Sequence, residues 1–393
     1  MAQFGDFTVD RNSTKYVLGS GGTIISYATD EPAFEFNADG SYKGLLVETA
    51  ATNICLQSED LNTPWFTFQS TVTANDTTAP DGNATADKLG DNNSGGVGDV
   101  IMYQTIIVSA NTKYTASVFL KADQLSFASL EANGYDGTTS GNQFFGLSGA
   151  GTKGTASNLD DSKIEEYPNG WYRCSITWTQ GAADTSFQFR IYVADSISNR
   201  SVDRDTTSSI FAWGAQVETG PIATSYIPTT TASVTRVKDR ITQTSASSLI
   251  GQTEGTLYIE VDWRDANSAF QFLLSANNGS NNHRLLIYET SGNELRMYVQ
   301  ATSVIVDQGQ VASGYSGIQK IAFAYADSDF ELYRNGSSIS SSTSGSLAAL
   351  ATLTDIDLGQ SSGATLQANM WIRAVALYPK RLSDAEAQAL TTL

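Results

Sequence analysis

Histidine occurs once in this chain, at His283, cysteine twice, at Cys55 and Cys174, and methionine four times. A Ser-His-Asp or Cys-His catalytic arrangement would therefore have to use His283. That residue stands in NGSNNHRLL, a turn-like stretch leading into a strand, where surface exposure is the plain expectation. Two cysteines exclude a small disulfide scaffold and a four-cysteine zinc site. Cys174 lies on the apolar face of an alternating segment and reads as a buried thiol, with a single bridge to Cys55 as the alternative. No Walker-type loop, dinucleotide fingerprint or His-x-x-x-His pair is present. Basic residues are also scarce, 23 Lys and Arg against 41 Asp and Glu, giving a formal charge of −18. With no Lys/Arg-rich run, no nucleic acid partner is expected. No window approaches the roughly 18 apolar residues of a membrane span, so no membrane insertion is expected. The start, MAQFGDFTVDR, has neither a basic n-region nor an apolar h-region, so the expectation is a chain made and folded in a bacterial cytoplasm.

Ser, Thr, Asn, 33 Gly, 17 Tyr and 17 Phe make up what is missing. β-Branched and aromatic residues suit pleated surfaces, while Gly and Asn suit tight turns. The chain alternates with a period of two almost throughout. In WYRCSITWTQ, Tyr172, Cys174, Ile176 and Trp178 share one face. In SFQFRIYVA, Phe187, Phe189, Ile191 and Val193 point together, with Gln188, Arg190 and Tyr192 opposing them. KYTASVFLKA aligns Tyr114, Ala116, Val118 and Leu120, and FAWGAQVE aligns Phe211, Trp213, Ala215 and Val217. Half-buried strands of this kind need a second sheet to cover their apolar faces.

A second set begins beyond residue 240. GTLYIEVDWR puts Leu257, Ile259, Val261 and Trp263 on one face, and RLLIYE, ELRMYVQ, QKIAFAYAD and DFELYRNGSSI follow closely. Asn335-Gly336 marks a two-residue hairpin, and NMWIRAVALY supplies a final strand. The expected fold class is all-β: two antiparallel β-sandwiches, with a short β-rich N-terminal segment and a C-terminal helix. Its units are residues 1–52, 53–235 and 236–393. The first unit holds KYVL, TIISYA, AFEF and KGLLVET, too little core to stand alone, and is expected to pack on the sandwich that follows or on another chain. In YPKRLSDAEAQALTTL, Ser383 and Glu386 have capping-box spacing, followed by Ala385, Ala389, Leu390 and Leu393 as the apolar set.

Two resemblances cover almost the whole chain. The stretch from RNSTKYVL through GLLVETAATNICLQSEDLNTPWF resembles a block found in bacteriophage structural proteins. ATADKL, YTASVFLKA, GWYRCSITWT and FAWGAQVETGPIATSYIPTTTASVTR are similar to the jelly-roll module, like a carbohydrate-binding module, that follows such a block. GTLYIEVDW, FELYRNG and VALYPKRLSDAEAQAL resemble a laminin-G or concanavalin A-like domain. These resemblances imply a jelly roll followed by a concanavalin A-like sandwich. They imply a non-enzymatic virion surface protein, whether fibre, receptor-binding or capsid decoration. Its partners would be other virion proteins and host-surface or environmental glycans. The N-terminal segment would be an attachment or oligomerisation element, with a homotrimer as the guess. Heptads and Gly-X-Y repeats are absent, which favours a compact knob over a long shaft. The alternatives are a glycan-degrading virion enzyme and a purely architectural virion protein.

Sugar binding uses aromatic faces flanked by polar side chains, so candidates are aromatics off the core period. Tyr135, with Phe144 or Phe145 nearby, falls in the Gly/Asn-rich NGYDGTTSGNQFF, and Tyr103 and Tyr192 fall on the less apolar faces of their strands. Trp65 and Trp171 are assigned to the core. Glu260 and Asp262, outward on one strand, are the clearest acidic pair in the second unit, read as a solvated face rather than a glycosidase pair. No cofactor is required. Asp327, Asp329, Asp355 and Asp357 read first as turn formers, with a structural Ca²⁺ as the alternative.

Overall fold

A computed structural model of the chain describes residues 7–62, 64–264, 270–311, 317–362 and 367–393. Antiparallel sheets dominate it, and Asp384–Thr391 is an α-helix. The jelly roll comprises two six-membered strand orders. One runs Thr152–Ser157, Thr139–Gly146, Phe127–Asp136, Ser186–Ala194, Val97–Ile107 and Ser201–Asp203, with the short Phe66–Phe68 also paired to Val97–Ile107. The other runs Asp161–Tyr167, Trp171–Thr179, Lys113–Ala122, Ser209–Thr219, Ala86–Asp91 and Ser70–Thr77. The alternation of the sequence puts Val118, Ile176 and Trp178 from one sheet against Phe187, Phe189 and Ile191 from the other, all essentially dry. Each such side chain contributes about 1.5–3 kcal/mol on burial. Trp65, Trp171, Cys55 and Cys174 are buried too, and both cysteines are free thiols whose ionisation burial pushes up.

One strand departs from simple alternation. Ala215 and Val217 face the sandwich core, whereas Phe211 and Trp213 pack on the opposite face with Phe119, Trp171 and Tyr226. The strand Ser209–Thr219 carries one extra residue between its pairings with Ser117 and Phe119. This bulge sits at Gly214, where φ is +67° and a Cβ would come within 2.9 Å of the Phe119 ring. An extra residue inverts which side chains point inward. Trp213 therefore anchors a third layer, made by Ile24 of the N-terminal hairpin and by the outgoing arm at Tyr226. The hairpin and the arm meet at the Tyr16–Tyr226 bridge.

The second sandwich begins at the N-terminus. Thr8–Asp10 pairs with Arg240–Gln243 at the edge of a sheet that continues through Asp355–Leu358, Gln271–Asn277, His283–Glu289, Glu294–Ala301 and Ser303–Val311. Its partner sheet runs Ser337–Ser342, Asp329–Arg334, Ile318–Ala326, Glu254–Trp263, Met370–Tyr378, Tyr42–Val47 and Phe34–Phe36. Val47 lies opposite Met370 and Leu45 opposite Ile372, and both enter the core that holds Leu257, Ile259 and Val261. The described part of the 1–52 unit is thus divided: the hairpin Lys15–Leu18/Ile24–Tyr27 packs through Ile24 on the module that follows it, while Thr8–Asp10, Phe34–Phe36 and Tyr42–Val47 complete the sandwich farthest away in sequence, where Leu45 and Val47 fill the apolar face. The jelly roll is an insertion in that sandwich, and its two connections pair with each other, Ala51 opposite Arg236 and Asn53 opposite Val234. At Asn335-Gly336 both residues have positive φ, 48° and 80°, as a two-residue hairpin turn requires. The C-terminal helix has the expected capping box, but buries Ala387 and Thr391 rather than Ala385 and Ala389. It lies over Ala322, Ala324 and Tyr333, whose small neighbours admit it.

A dry charge cluster joins these parts. Asp239 accepts from Arg11 at 2.9 Å, from Lys15 at 2.6 Å and from the backbone N–H of Glu48 at 2.9 Å. Glu48 pairs with Lys15 at 3.1 Å, with Arg236 at 3.5 Å and with Arg264, and accepts from the Ser225 N–H at 2.8 Å. Burial pushes the Glu48 carboxyl up, but Arg236, Lys15 and Arg264 outweigh it and hold the group well below its usual range.

Two outcomes follow. Residues 53–235 expressed alone should unfold cooperatively, and so should 7–50 joined by a short linker to 237–393. Residues 237–393 alone should not, as read by circular dichroism on heating. Glu48→Gln should cost about 3 kcal/mol at neutral pH, the scale of a broken buried ion pair. A depressed folded-state value means that Glu48 contributes fully above the unfolded carboxyl value and loses that contribution as pH falls through the folded one. The gap between wild type and variant in urea unfolding should therefore be widest at pH 7 and narrow below about pH 4.3.

Candidate functional site

On the outer face of the jelly-roll sheet built on Val97–Ile107 and Ser186–Ala194, large aromatics stay wet beside ordered polar groups. Register sets its side chains in rows. Phe66, Tyr103, Arg190, Glu131 and Asn142 are successive cross-strand partners, as are Phe68, Ile101, Tyr192, Ser129 and Phe144. Phe66 is 56% exposed and Phe68 53% exposed, because the three-residue strand that carries them is paired on one side only. Phe66 stacks on Tyr103 with ring centres 5.5 Å apart and planes 24° apart. A hollow of about 290 Å³ opens beside them, lined by Thr67, Phe68, Ile101, Tyr103, Gln188 and Arg190.

Polar contacts hold the cationic side of this platform. Arg190 donates to Gln188 Oε1 at 2.6 and 2.9 Å, to Glu131 Oε1 at 3.2 Å and to the Tyr192 hydroxyl at 3.2 Å. Its guanidinium also lies 5.8 Å from the Tyr103 ring centre. Arg200 donates to the other Glu131 oxygen at 2.5 Å and lies 4.4 Å over the Tyr192 ring. The Tyr192 hydroxyl donates to Glu131 at 3.1 Å, and burial together with Glu131 raises its ionisation so that it remains a donor. Glu131 is thus the pin of the arrangement, engaged on both oxygens.

Three of the four aromatics singled out from the sequence, Tyr103, Tyr192 and Phe144, lie on this face, and they differ in access. Tyr103 is half-buried and lines the hollow. Tyr192 is 2% exposed beneath Arg200, and Phe144 is 6% exposed, so neither offers a ring to solvent. Tyr135 is not on the platform: it packs against the jelly-roll core, and its hydroxyl donates to the Asn158 carbonyl at 2.8 Å. Phe66, Phe68, Gln188, Arg190 and Arg200 were not singled out. The signal for the first four was the Phe-Thr-Phe alternation after a core tryptophan and the polar face opposing Phe187 and Phe189; Arg200, in a loop, had none.

The four aspartates considered for calcium do not assemble. Asp327 and Asp329 belong to a hairpin of one sheet and Asp355 and Asp357 to a strand of the other. Asp327 accepts from the Leu347 N–H at 2.5 Å, Asp329 pairs with Arg381 at 2.7 Å, and Asp357 accepts from Thr242 and Asn277. Among the described residues no group of three or more His, Cys, Asp or Glu is disposed to hold a metal. Glu260 is held by Arg373 at 2.9 Å. His283 accepts the Ala351 N–H through Nδ1 at 3.1 Å.

A larger cleft of about 580 Å³ opens near the outgoing arm, lined by Glu59, Asp60, Asp87 and Asn75 among others. Asp87 spends both oxygens on the backbone N–H groups of Leu61 and Asn75, so it clamps loops. The cleft lining contains no aromatic and no cation, and the smaller hollow is the better candidate on chemistry.

The fold and the platform together define an all-β protein of two sandwiches with an open aromatic and guanidinium face. The chain matches no known protein-family model and no curated protein. Among solved structures it is similar to the CBM40 of Ruminococcus gnavus IT-sialidase bound to α2,3-sialyllactose, at 22% identity over 37% of this chain and 86% of that one, TM-score 0.33. It is also similar to the leech intramolecular trans-sialidase, at 18% identity over 37% of this chain and 24% of that one, TM-score 0.33. A third likeness is to the binding domain of botulinum neurotoxin DC in complex with rat synaptotagmin II, at 16% identity over 39% of each chain, TM-score 0.33. These likenesses assign this chain neither a ligand nor an activity.

Removing the pin should loosen the platform. Glu131→Ala should cost about 2 kcal/mol, the scale of hydrogen bonds to charged groups. Phe66→Ala, at an exposed position, should stay within about 0.5 kcal/mol of wild type. Denaturant unfolding of the two variants checks both.

Proposed function

We propose that this chain is a non-enzymatic glycan-binding protein of a bacteriophage virion surface, and that the outer face of its jelly-roll sheet holds the sugar. The observation that carries the reading is the pair of wet phenylalanines, one stacked on Tyr103, beside Arg190 and Gln188. Stacked rings offer the apolar face of a pyranose a partner, and side-chain amide and guanidinium groups offer its hydroxyls directed hydrogen bonds. Exposed apolar rings grouped in one patch, unlike single ones, mark interaction sites on protein surfaces. Binding without cleavage fits the only carboxylate in these rows. Glu131 is clasped by Arg190, Arg200 and Tyr192 and is not free to donate or accept a proton at a glycosidic bond.

The virion setting is supported by the order of motifs from the phage-like lead through both sandwiches. Partners there would be other virion proteins, and many copies per particle would raise avidity without new contacts. The strands of the N-terminal segment are spent on pairing within the chain, so attachment to a particle would fall to exposed surface elsewhere.

The test is an immobilised glycan panel with wild type, Phe66→Ala and Tyr103→Ala, alongside peptide mass spectrometry of purified phage particles. Wild type should bind, each variant should lose roughly tenfold in affinity, about 1.4 kcal/mol, no reducing ends should be released, and the chain should be found in particles. Binding unaffected by either substitution would remove the platform, and liberated reducing ends would replace binding with hydrolysis. A protein found in particles that binds no sugar would be architectural.

A further inference from the structure

We propose that the two guanidiniums of the platform select sugars that carry a carboxylate, so that its ligand class is an acidic polysaccharide. This rests on reading the platform as a glycan site and adds the chemistry of what it prefers.

Arg190 and Arg200 share a single carboxylate, one on each oxygen of Glu131, at 3.2 and 2.5 Å. Two cations meet one anion in direct contact there, on a chain whose formal charge is −18. Asp99 is the next carboxylate to act on Arg200, and it acts more weakly than Glu131. Burial pulls the Arg200 guanidinium down, but Glu131 more than offsets this, and the group stays charged.

Arg200 is also only partly used. Its Nη1 meets Glu131, while Nε and Nη2 make no hydrogen bond to the described residues. The side chain is 29% exposed and its guanidinium carbon lies 4.4 Å from the Tyr192 ring centre, so Glu131 and that ring both restrain the fork before any ligand arrives. A guanidinium with one edge anchored and another presented matches the two oxygens of a carboxylate, and its prior ordering lowers the entropy cost of that match. Arg200 sits above the row that contains Phe68 and Ile101, next to the row that contains Phe66 and Tyr103. A ring laid on the aromatics would therefore extend toward the guanidiniums. The rest of the protein repels a polyanion at long range, so the preference must come from this short-range fork.

Calorimetry of the full chain with matched probes tests this: oligogalacturonate and alginate oligosaccharides, each beside its carboxyl-reduced form. At least one acidic probe should bind about tenfold tighter than its reduced counterpart. Arg200→Gln should bring that acidic affinity down to the level of the reduced probe while the affinity for the reduced probe itself stays within about twofold, and Arg200→Lys should restore part of the acidic preference. Equal affinity of wild type for both forms, or a preference that survives Arg200→Gln, would overturn this inference and leave the glycan platform standing. Wild type binding none of the probes, acidic or reduced, would overturn this inference, while the platform itself stands or falls with the glycan panel.

Discussion

Two carboxylates, Glu48 and Asp239, stand where four segments of the chain converge, and four cations reach them from different directions. Arg11 and Lys15 come from the N-terminal segment, Arg236 from the outgoing connection of the jelly roll and Arg264 from the second sandwich. All are nearly dry, and the outgoing arm adds the Ser225 N–H. Charges removed from water are costly unless geometry and hydrogen bonds compensate. Each of these segments is therefore held to one arrangement: a displaced strand would leave an unpaired buried charge. Apolar packing alone would not distinguish one seating of these short strands from another with comparable strictness.

The inserted jelly roll is tied to the second sandwich by that cluster and the paired connections. Its outer sheet face is left uncovered while its other sheet is roofed by Ile24, Trp213 and Tyr226. The asymmetry positions the candidate site. One face of the module is spent on assembly, and the other presents Phe66, Phe68, Tyr103 and the guanidinium pair. The same polar logic recurs there at smaller scale, with Glu131 holding two arginines and a tyrosine where two phenylalanines can remain in water.

Much of this was legible. Period-two alternation located the strands WYRCSITWTQ, SFQFRIYVA and GTLYIEVDWR and their core faces, since a side chain's face follows directly from parity along a strand. Asn335-Gly336 and the Ser383/Glu386 box were equally local signals. Parity misled at Trp213, where a one-residue bulge at Gly214 reversed it, and in the C-terminal helix, where the packed face was chosen by the small residues beneath it. Tyr103 and Tyr192 were read on the less apolar faces of their strands, whereas Phe144, read beside a Gly/Asn-rich loop, lies in the strand Thr139–Gly146. Their access was not legible, because Arg200 arrives over Tyr192 from a loop that no periodicity describes.

By itself the sequence determined an all-β body of two sandwiches, the facing of most strands and the capped terminal helix. These depend on residue type and spacing within a few positions, where sterics and hydropathy act directly. Only the tertiary structure decided that Thr8–Asp10, Phe34–Phe36 and Tyr42–Val47 complete the last sandwich, that the jelly roll is inserted within it, and which aromatics stay in water. Those outcomes depend on pairings between residues hundreds of positions apart, such as Lys15 with Asp239 and Val47 with Met370, whose free energy appears only when the chain has closed on itself.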